Sequence, residues 1–246
     1  MQPAYTCTCT CTCKCSIQSQ HARAADVHAD TCVHGGAPRA LAPPPSCRLR
    51  FRLGLFDPIE GQPYWHVSPD VVNSTSSQAL NQLAARESMV LLQNDATMGL
   101  PFTKGGTVAV IGPHGKAASA LVGNYLGQIC PDGVGSYSCV ETPLEAISEL
   151  NAGGSTIFSA GSGVSDPIDG GIAAAVAVAK RADRTVLLLG IDEHIEGESH
   201  DRTSIDLPAP QHDLAAAVLA LGKPCVVVLI NGGMVGIEQE RPWIRT

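Results

Sequence analysis

Short apolar runs alternate with stretches of helical spacing over the second half of the chain. Thr107-Val108-Ala109-Val110-Ile111-Gly112-Pro113 is continuous, rich in β-branched residues and closed by Gly-Pro. That pattern predicts a strand buried on both faces. Residues 143–151 predict a short helix, with Pro143 suited to its first turn. Ser155 to Ser159 predicts a weaker strand, Ile172 to Arg181 an alanine-rich helix, and Thr185 to Gly190 a second strong strand. Ala209 to Leu221 predicts a helix stopped by Gly222 and Pro224. Cys225 to Ile230 predicts a third strong strand, ended by Asn231-Gly232-Gly233. Strands alternating with helices imply an α/β domain with a doubly wound, mostly parallel sheet flanked by helices. About four strands are visible before Thr246, so the sheet is expected to be truncated and to lack an edge.

Upstream the pattern is looser. Phe51 to Pro58 is a compact apolar run ended by a turn signal, and residues 59–76 read as an extended linker. Ser76 or Ser77 is a candidate N-cap for a helix carrying Leu80, Leu83, Ala84 and Glu87. Met89-Val90-Leu91-Leu92 then predicts a short extended segment. Residues 6–13 are a strict Thr-Cys repeat. Alternating thiolates bind soft metals, but a two-residue repeat is also low-complexity sequence without a fold of its own. The stretch onward to Pro43-Pro44-Pro45 shows neither period, so disorder is expected for about 1–50. The expected organisation is a disordered segment 1–50, a linker 51–76 and an α/β domain 77–246.

Composition narrows the function classes. The net charge of −7 argues against a nucleic-acid partner, which needs a basic surface. No run of about 18 apolar residues exists, so no membrane-spanning helix is expected. No basic start followed by an apolar core marks a secretory signal, which leaves localisation open.

The chemistry concentrates after the second strong strand. Leu187 to Arg202 opens as a buried strand and runs into Asp192, Glu193, Glu196, Glu198 and Asp201, interleaved with His194, His200 and Arg202. A rigid strand ending in a polar loop at the carboxyl edge of an open sheet is a usual place for a site. The spacing of His194 and His200 fits no usual metal-ligand pattern, so both read as solvated or rim histidines and no metal is expected. Gly112-Pro113-His114-Gly115 is not a dinucleotide fingerprint, because it lacks the glycine spacing and Pro113 removes an N–H. It reads as a turn, and no cofactor is expected. Cys225, opening a strand, reads as a small core residue.

From about residue 51 the chain resembles the C-terminal α/β-sandwich domain of glycoside hydrolase family 3, nearest to its β-xylosidase and arabinofuranosidase members. Six blocks in order carry the resemblance. They are Arg52 to Pro58; Ala84 to Asn94; Val108 to Pro113 with Gly123-Asn124-Tyr125; Leu189 to Asp192 with Glu196 to Arg202; Leu207-Pro208 with Gln211; and Val228 to Gly233. The resemblance implies retaining glycoside hydrolysis, in which one carboxylate attacks the anomeric carbon and a second protonates the leaving oxygen. In that family the nucleophile is an aspartate of a preceding TIM barrel, and the acid/base is a glutamate of the C-terminal domain. Glu198, three residues before Asp201-Arg202, is the first candidate for the acid/base, and Glu196 the second. Ser199 and His200 stand where the family usually has a glycine and an apolar residue. Asp201 and Arg202 read as an ion pair bracing the loop.

A TIM barrel needs about 250 residues, and none fits in the first fifty. A lone general acid contributes about 10²–10⁴-fold, so the chain by itself is not expected to be a working glycosidase. The implied partner is an oligosaccharide or β-linked pentoside, bound by a full-length enzyme. The competing reading is a non-catalytic carbohydrate-binding or interaction module. Family members are commonly secreted, and a Cys130–Cys139 disulfide around Pro131-Asp132-Gly133 is one option there, two inert thiols the other.

Overall fold

A computed structural model of the 246-residue chain describes residues 5–9, 13–17, 45–94 and 99–236, with side chains from residue 48 onward. It divides into two compact units, Met1–Val90 and Leu91–Thr246.

In the first unit, β1 (Tyr5–Cys9) and β2 (Cys13–Ile17) pair antiparallel, with Tyr5 opposite Ile17 and Cys9 opposite Cys13. Helix α1 (Pro45–Arg52) follows. Of the segment 1–50, expected to lack order, only these residues are described, and metal binding by the Thr-Cys thiols rests on side chains outside the description. Phe51 and Phe56 then meet at 4.6 Å between ring centroids, and Gln62 Nε2 donates to the Gly54 carbonyl at 3.0 Å. Helix α2 (Thr75–Glu87) is capped by Ser74, whose Oγ accepts from the Ser77 N–H at 3.2 Å. Its start therefore precedes the Ser76 or Ser77 expected. In a run of serines the cap is the residue with extended backbone, here φ −68°, ψ 157° at Ser74. Met89, Val90, Leu91 and Leu92 make no strand, and all four side chains are exposed.

The second unit has the expected α/β fold, a parallel sheet flanked by helices. Strand β3 (Thr107–Ile111), helix α3 (Pro143–Leu150), β4 (Ser155–Ser159), α4 (Gly171–Arg181), β5 (Arg184–Gly190), α5 (Ala209–Leu219) and β6 (Cys225–Ile230) follow in turn. Helix α3 begins in a capping box: Thr142 Oγ1 accepts from the Glu145 N–H, and Glu145 accepts from the Thr142 N–H at 2.8 Å. The four strands are all parallel, in the order β4-β3-β5-β6. Ala109, Ile111, Leu187 and Leu189 point to one face, where the small residues Ala175, Ala179 and Ala215 let α4 and α5 approach closely around Leu214 and Val218. Cys225 opens β6 against this core as a free thiol, and burial pushes it up to about 12.

The chain moves from β3 outward to β4 and then back past β3 to β5. The topological switch point therefore lies between β3 and β5, where ligands of open α/β sheets bind beyond the strand ends. A glycine ends each of those strands. Gly112 has φ 118°, and a Cβ on it would lie 2.0 Å from the Leu188 carbonyl oxygen. Gly190 has φ 142°, and a Cβ there would lie 1.8 Å from the Ile230 carbonyl oxygen. Neither approach tolerates a side chain.

Gly190→Ala is therefore expected to cost about 3 kcal/mol or more in urea unfolding, since strain and backbone clash add. Gly153→Ala, also at positive φ (86°) but with open space around it, is expected to cost only about 1–2 kcal/mol. Equal losses would remove the close-approach argument.

Candidate active site

Strand β5 delivers the acidic loop, and Gln211 fixes the point of delivery. Gln211 lies on α5 and is fully buried. Its Oε1 accepts from the Gly190 N–H at 2.9 Å, and its Nε2 donates to the Gly190 carbonyl at 2.7 Å and the Val164 carbonyl at 2.6 Å. One amide side chain thus satisfies both backbone groups of the residue at which the strand ends. Such pairing is what burial of backbone polar groups requires.

Beyond Gly190 the loop folds on itself. The Asp192 carbonyl accepts from the Ile195 and Glu196 N–H groups at 3.0 and 3.1 Å, and Asp192 Oδ1 accepts from the His194 N–H at 3.0 Å. Gly197 and His200 then exchange two backbone hydrogen bonds, at 3.1 and 3.0 Å. Glu198 and Ser199 are the two residues of the turn so closed. Ser199 has φ 66°. A positive φ at the second central residue is the sign pattern of a type II turn, where glycine is favoured. Both side chains at the tip are exposed.

The two candidate glutamates are held differently. Arg202 Nε donates to Glu196 Oε2 at 2.8 Å, and Nη2 lies 2.7 Å from the same oxygen. Nη2 also donates to the Met234 carbonyl, beyond β6. The Glu196 carboxylate sits where a Cβ on Gly233 would be, 2.2 Å from Oε2. Arg202 is thus a brace, but its partner is Glu196 and not the adjacent Asp201. Neighbouring side chains diverge along an extended segment, whereas the bend at 193–200 returns Glu196 to Arg202. Among the described residues Glu198 enters no ion pair; its backbone carbonyl faces His200 Nδ1 at 3.2 Å. A side-chain interaction with Glu198 is the main cause raising the Tyr125 phenol above its usual pKa.

His114 lies in the 3₁₀ turn Pro113–Lys116 after β3, 1% exposed, with neither ring nitrogen hydrogen-bonded among the described residues. Burial lowers its pKa, opposed by the negative field of Asp192 and by the Gly190 backbone. The Gly-Pro-His-Gly motif is therefore a buried turn beneath the acidic loop. Cys130 and Cys139 are joined in a disulfide with Cα atoms 5.5 Å apart. His194 and His200 are exposed, and no cluster of three potential metal ligands occurs among the described residues. Gln211 and Tyr125, seen in the sequence only as parts of longer blocks, turn out to be the clamp and the neighbour of the loop. Only their distance from it in sequence hid those roles.

An open parallel sheet with an acidic loop at its switch point defines the class, an α/β domain with a cluster of carboxylates at the carboxyl edge of its sheet. Residues 89–244 match the profile of the glycosyl hydrolase family 3 C-terminal domain, and the chain belongs to that family. It is 41% identical over 184 residues to a probable exo-1,4-beta-xylosidase of Neosartorya fischeri, covering 75% of this chain and 22% of that protein. It is 39% identical over 195 residues to the probable beta-D-xylosidase 7 of Arabidopsis thaliana, covering 77% and 24%. Among solved structures, a family 3 exo-beta-xylosidase in complex with a xylobiose aziridine activity-based probe superposes with a TM-score of 0.63 at 34% identity, covering 75% of this chain and 22% of that one. A beta-glucosidase from Listeria innocua in complex with glucose superposes at 0.63 and 25% identity, covering 80% and 25%. The chain thus spans about a fifth to a quarter of the length of these relatives.

Two predictions test this geometry. Arg202→Ala removes the partner of Glu196 and a donor to the Met234 carbonyl, so amide exchange over residues 192–202 is expected to accelerate, while Asp201→Ala leaves it unchanged. For His114 the folded pKa lies below the unfolded value near 6.5, so the unfolded state binds more protons below that pH. Stability is expected to be intact above about 6.5 and to fall as pH drops through the folded value. His114→Leu should flatten that slope in urea titrations between pH 7 and 5, and an unchanged slope would mean another group carries it.

Proposed function

We propose that this domain supplies the acid/base glutamate of a retaining β-xylosidase-like glycoside hydrolase, and that Glu198 is that residue. What carries the reading is the division of labour between the two glutamates. Glu196 is spent on Arg202, which is 11% exposed, and links the loop to the segment after β6. Glu198 stands at the tip of a two-residue turn with an exposed side chain. A general acid must reach the leaving oxygen within about 2.6–3.2 Å, and a group at the tip of a tight turn meets that demand where an ion-paired one does not. The nucleophilic carboxylate comes from another domain of the complete enzyme, about 5–5.5 Å from the acid in a retaining site. The substrate class is a β-linked pentoside, in keeping with the xylosidase relatives.

In such a reaction Glu198 first gives its proton to the departing glycosidic oxygen. The carboxylate so formed then takes a proton from the water that releases the sugar from the nucleophile. The two steps predict a kinetic signature. Residues 89–244 are exchanged for the corresponding domain of a full-length family 3 β-xylosidase, and Glu198→Gln is introduced. Hydrolysis of xylobiose, whose leaving group needs protonation, is expected to fall about 10²–10⁴-fold. An aryl xyloside with an acidic phenol should lose far less in its first step, and azide, which needs no general base, should restore turnover. Glu196→Gln should instead lower the melting temperature with no dependence on leaving group. The reverse assignment of these two patterns would sink the proposal.

A further inference from the structure

Asn73-Ser74-Thr75, just ahead of α2, has the form N-x-S/T with a residue other than proline in the middle. That is the acceptor signal for an N-linked glycan. The chain has six asparagines, and none of the other five is followed two residues on by serine or threonine. A three-residue pattern also arises by chance, so its structural setting and the compartment of the chain decide whether it is used.

The setting accommodates a large group. Asn73 is exposed and stands one residue before Ser74, the N-cap of α2. Val71 and Val72 before it are exposed, and α2 has no buried residue. A glycan attached to the emerging chain would therefore displace no packed side chain when the segment folds. The amide is also held in one orientation. Gln78 Nε2 donates to Asn73 Oδ1 at 3.1 Å and to the Asn73 carbonyl at 3.4 Å. The oxygen arm of the amide is thus tied to the helix, and the nitrogen arm, Nδ2, donates to no group among the described residues.

A second observation, from the other unit of the chain, concerns the compartment. Cys130 and Cys139 are joined in a disulfide, with Cys130 1% exposed. Such bonds form and persist in the endoplasmic reticulum lumen and outside the cell, and are rare where glutathione keeps thiols reduced. N-glycans are attached in that same lumen. Two chemically unrelated features, an acceptor amide and a closed disulfide, therefore call for one place.

We propose that Asn73 is an N-glycosylation site, modified in the oxidising lumen where the Cys130–Cys139 disulfide forms. The donor is an oligosaccharide carried on a lipid diphosphate. Asn73 Nδ2 attacks the anomeric carbon of its first sugar, and the bond from that carbon to the diphosphate oxygen breaks. The lipid diphosphate leaves with the electron pair, and Nδ2 gives up one proton to the transferase. The product sets a bulky, solubilising group beside Val72, which is 79% exposed.

The full 246-residue chain, behind a cleavable secretion leader, is translated with endoplasmic-reticulum microsomes, and only chain protected from added protease is scored. The wild-type chain is expected to gain the mass of one glycan. Peptide N-glycosidase should remove it and leave an aspartate in place of Asn73, read by peptide mass spectrometry. Asn73→Gln and Thr75→Ala should each abolish the shift, while Thr75→Ser, which keeps the hydroxyl, should retain it. Protected wild-type chain without a glycan, or a glycan that survives Asn73→Gln, overturns the site. In the protein isolated from its natural source, the peptide around Asn73 is expected in its glycosylated form, and its recovery only as the unmodified peptide overturns the proposal as well.

Discussion

The site hangs on one buried amide. Gln211 bonds both backbone groups of Gly190, and Gly190 is where β5 stops and the acidic loop begins. A strand end inside the fold leaves an N–H and a carbonyl without ladder partners, and each unsatisfied group costs about 1–3 kcal/mol. Gln211 fills that role from α5, at the one position where no side chain fits on the strand itself. The helix that packs the core thus also sets where the loop leaves the sheet. Core packing and site geometry are coupled through this residue: α5 cannot shift against β5 without moving the root of the loop.

Much of the fold was legible in the sequence, and for a physical reason. Parallel strands buried on both faces must be continuous apolar runs, and β3, β5 and β6 fell where those runs are. The boundaries that moved were set by capping. The start of α2 depended on which serine of Ser74, Ser76 and Ser77 took extended backbone, and composition does not distinguish them. The loop was legible as a cluster of acids, but its internal pairing was not. Arg202 is adjacent in sequence to Asp201, yet it pairs with Glu196 because the 193–200 bend brings that carboxylate back. Spacing along a chain says little about a segment that reverses twice in ten residues. Gln211 and Tyr125 were hidden by distance in sequence, 21 and 73 residues from Gly190 and Glu198.

The loop's carboxylates now separate by task. Asp192 caps the first bend and faces buried His114. Glu196 neutralises Arg202, a mostly buried cation whose Nη1 finds no partner among the described residues. Glu193 is exposed on the bend. Such sharing has an electrostatic logic. Five acids within ten residues repel one another, and an exposed loop carrying them would splay unless some were tied to donors. The Arg202 ion pair and the backbone donors to Asp192 supply those ties, so that the turn at Glu198 and Ser199 can stay closed.

That leaves a constraint on the chemistry itself. Retaining hydrolysis needs two carboxylates about 5–5.5 Å apart, on opposite sides of the scissile bond. Those of this loop all descend from one strand end, and each of Asp192 and Glu196 is already committed to holding the loop. Glu198, exposed at the tip of its turn, is left without such a commitment. On the proposed assignment of Glu198, this domain provides one wall of a shared site: the acid and the Arg202–Glu196 brace lie here, and the group that attacks the other side of the bond faces it from across the substrate.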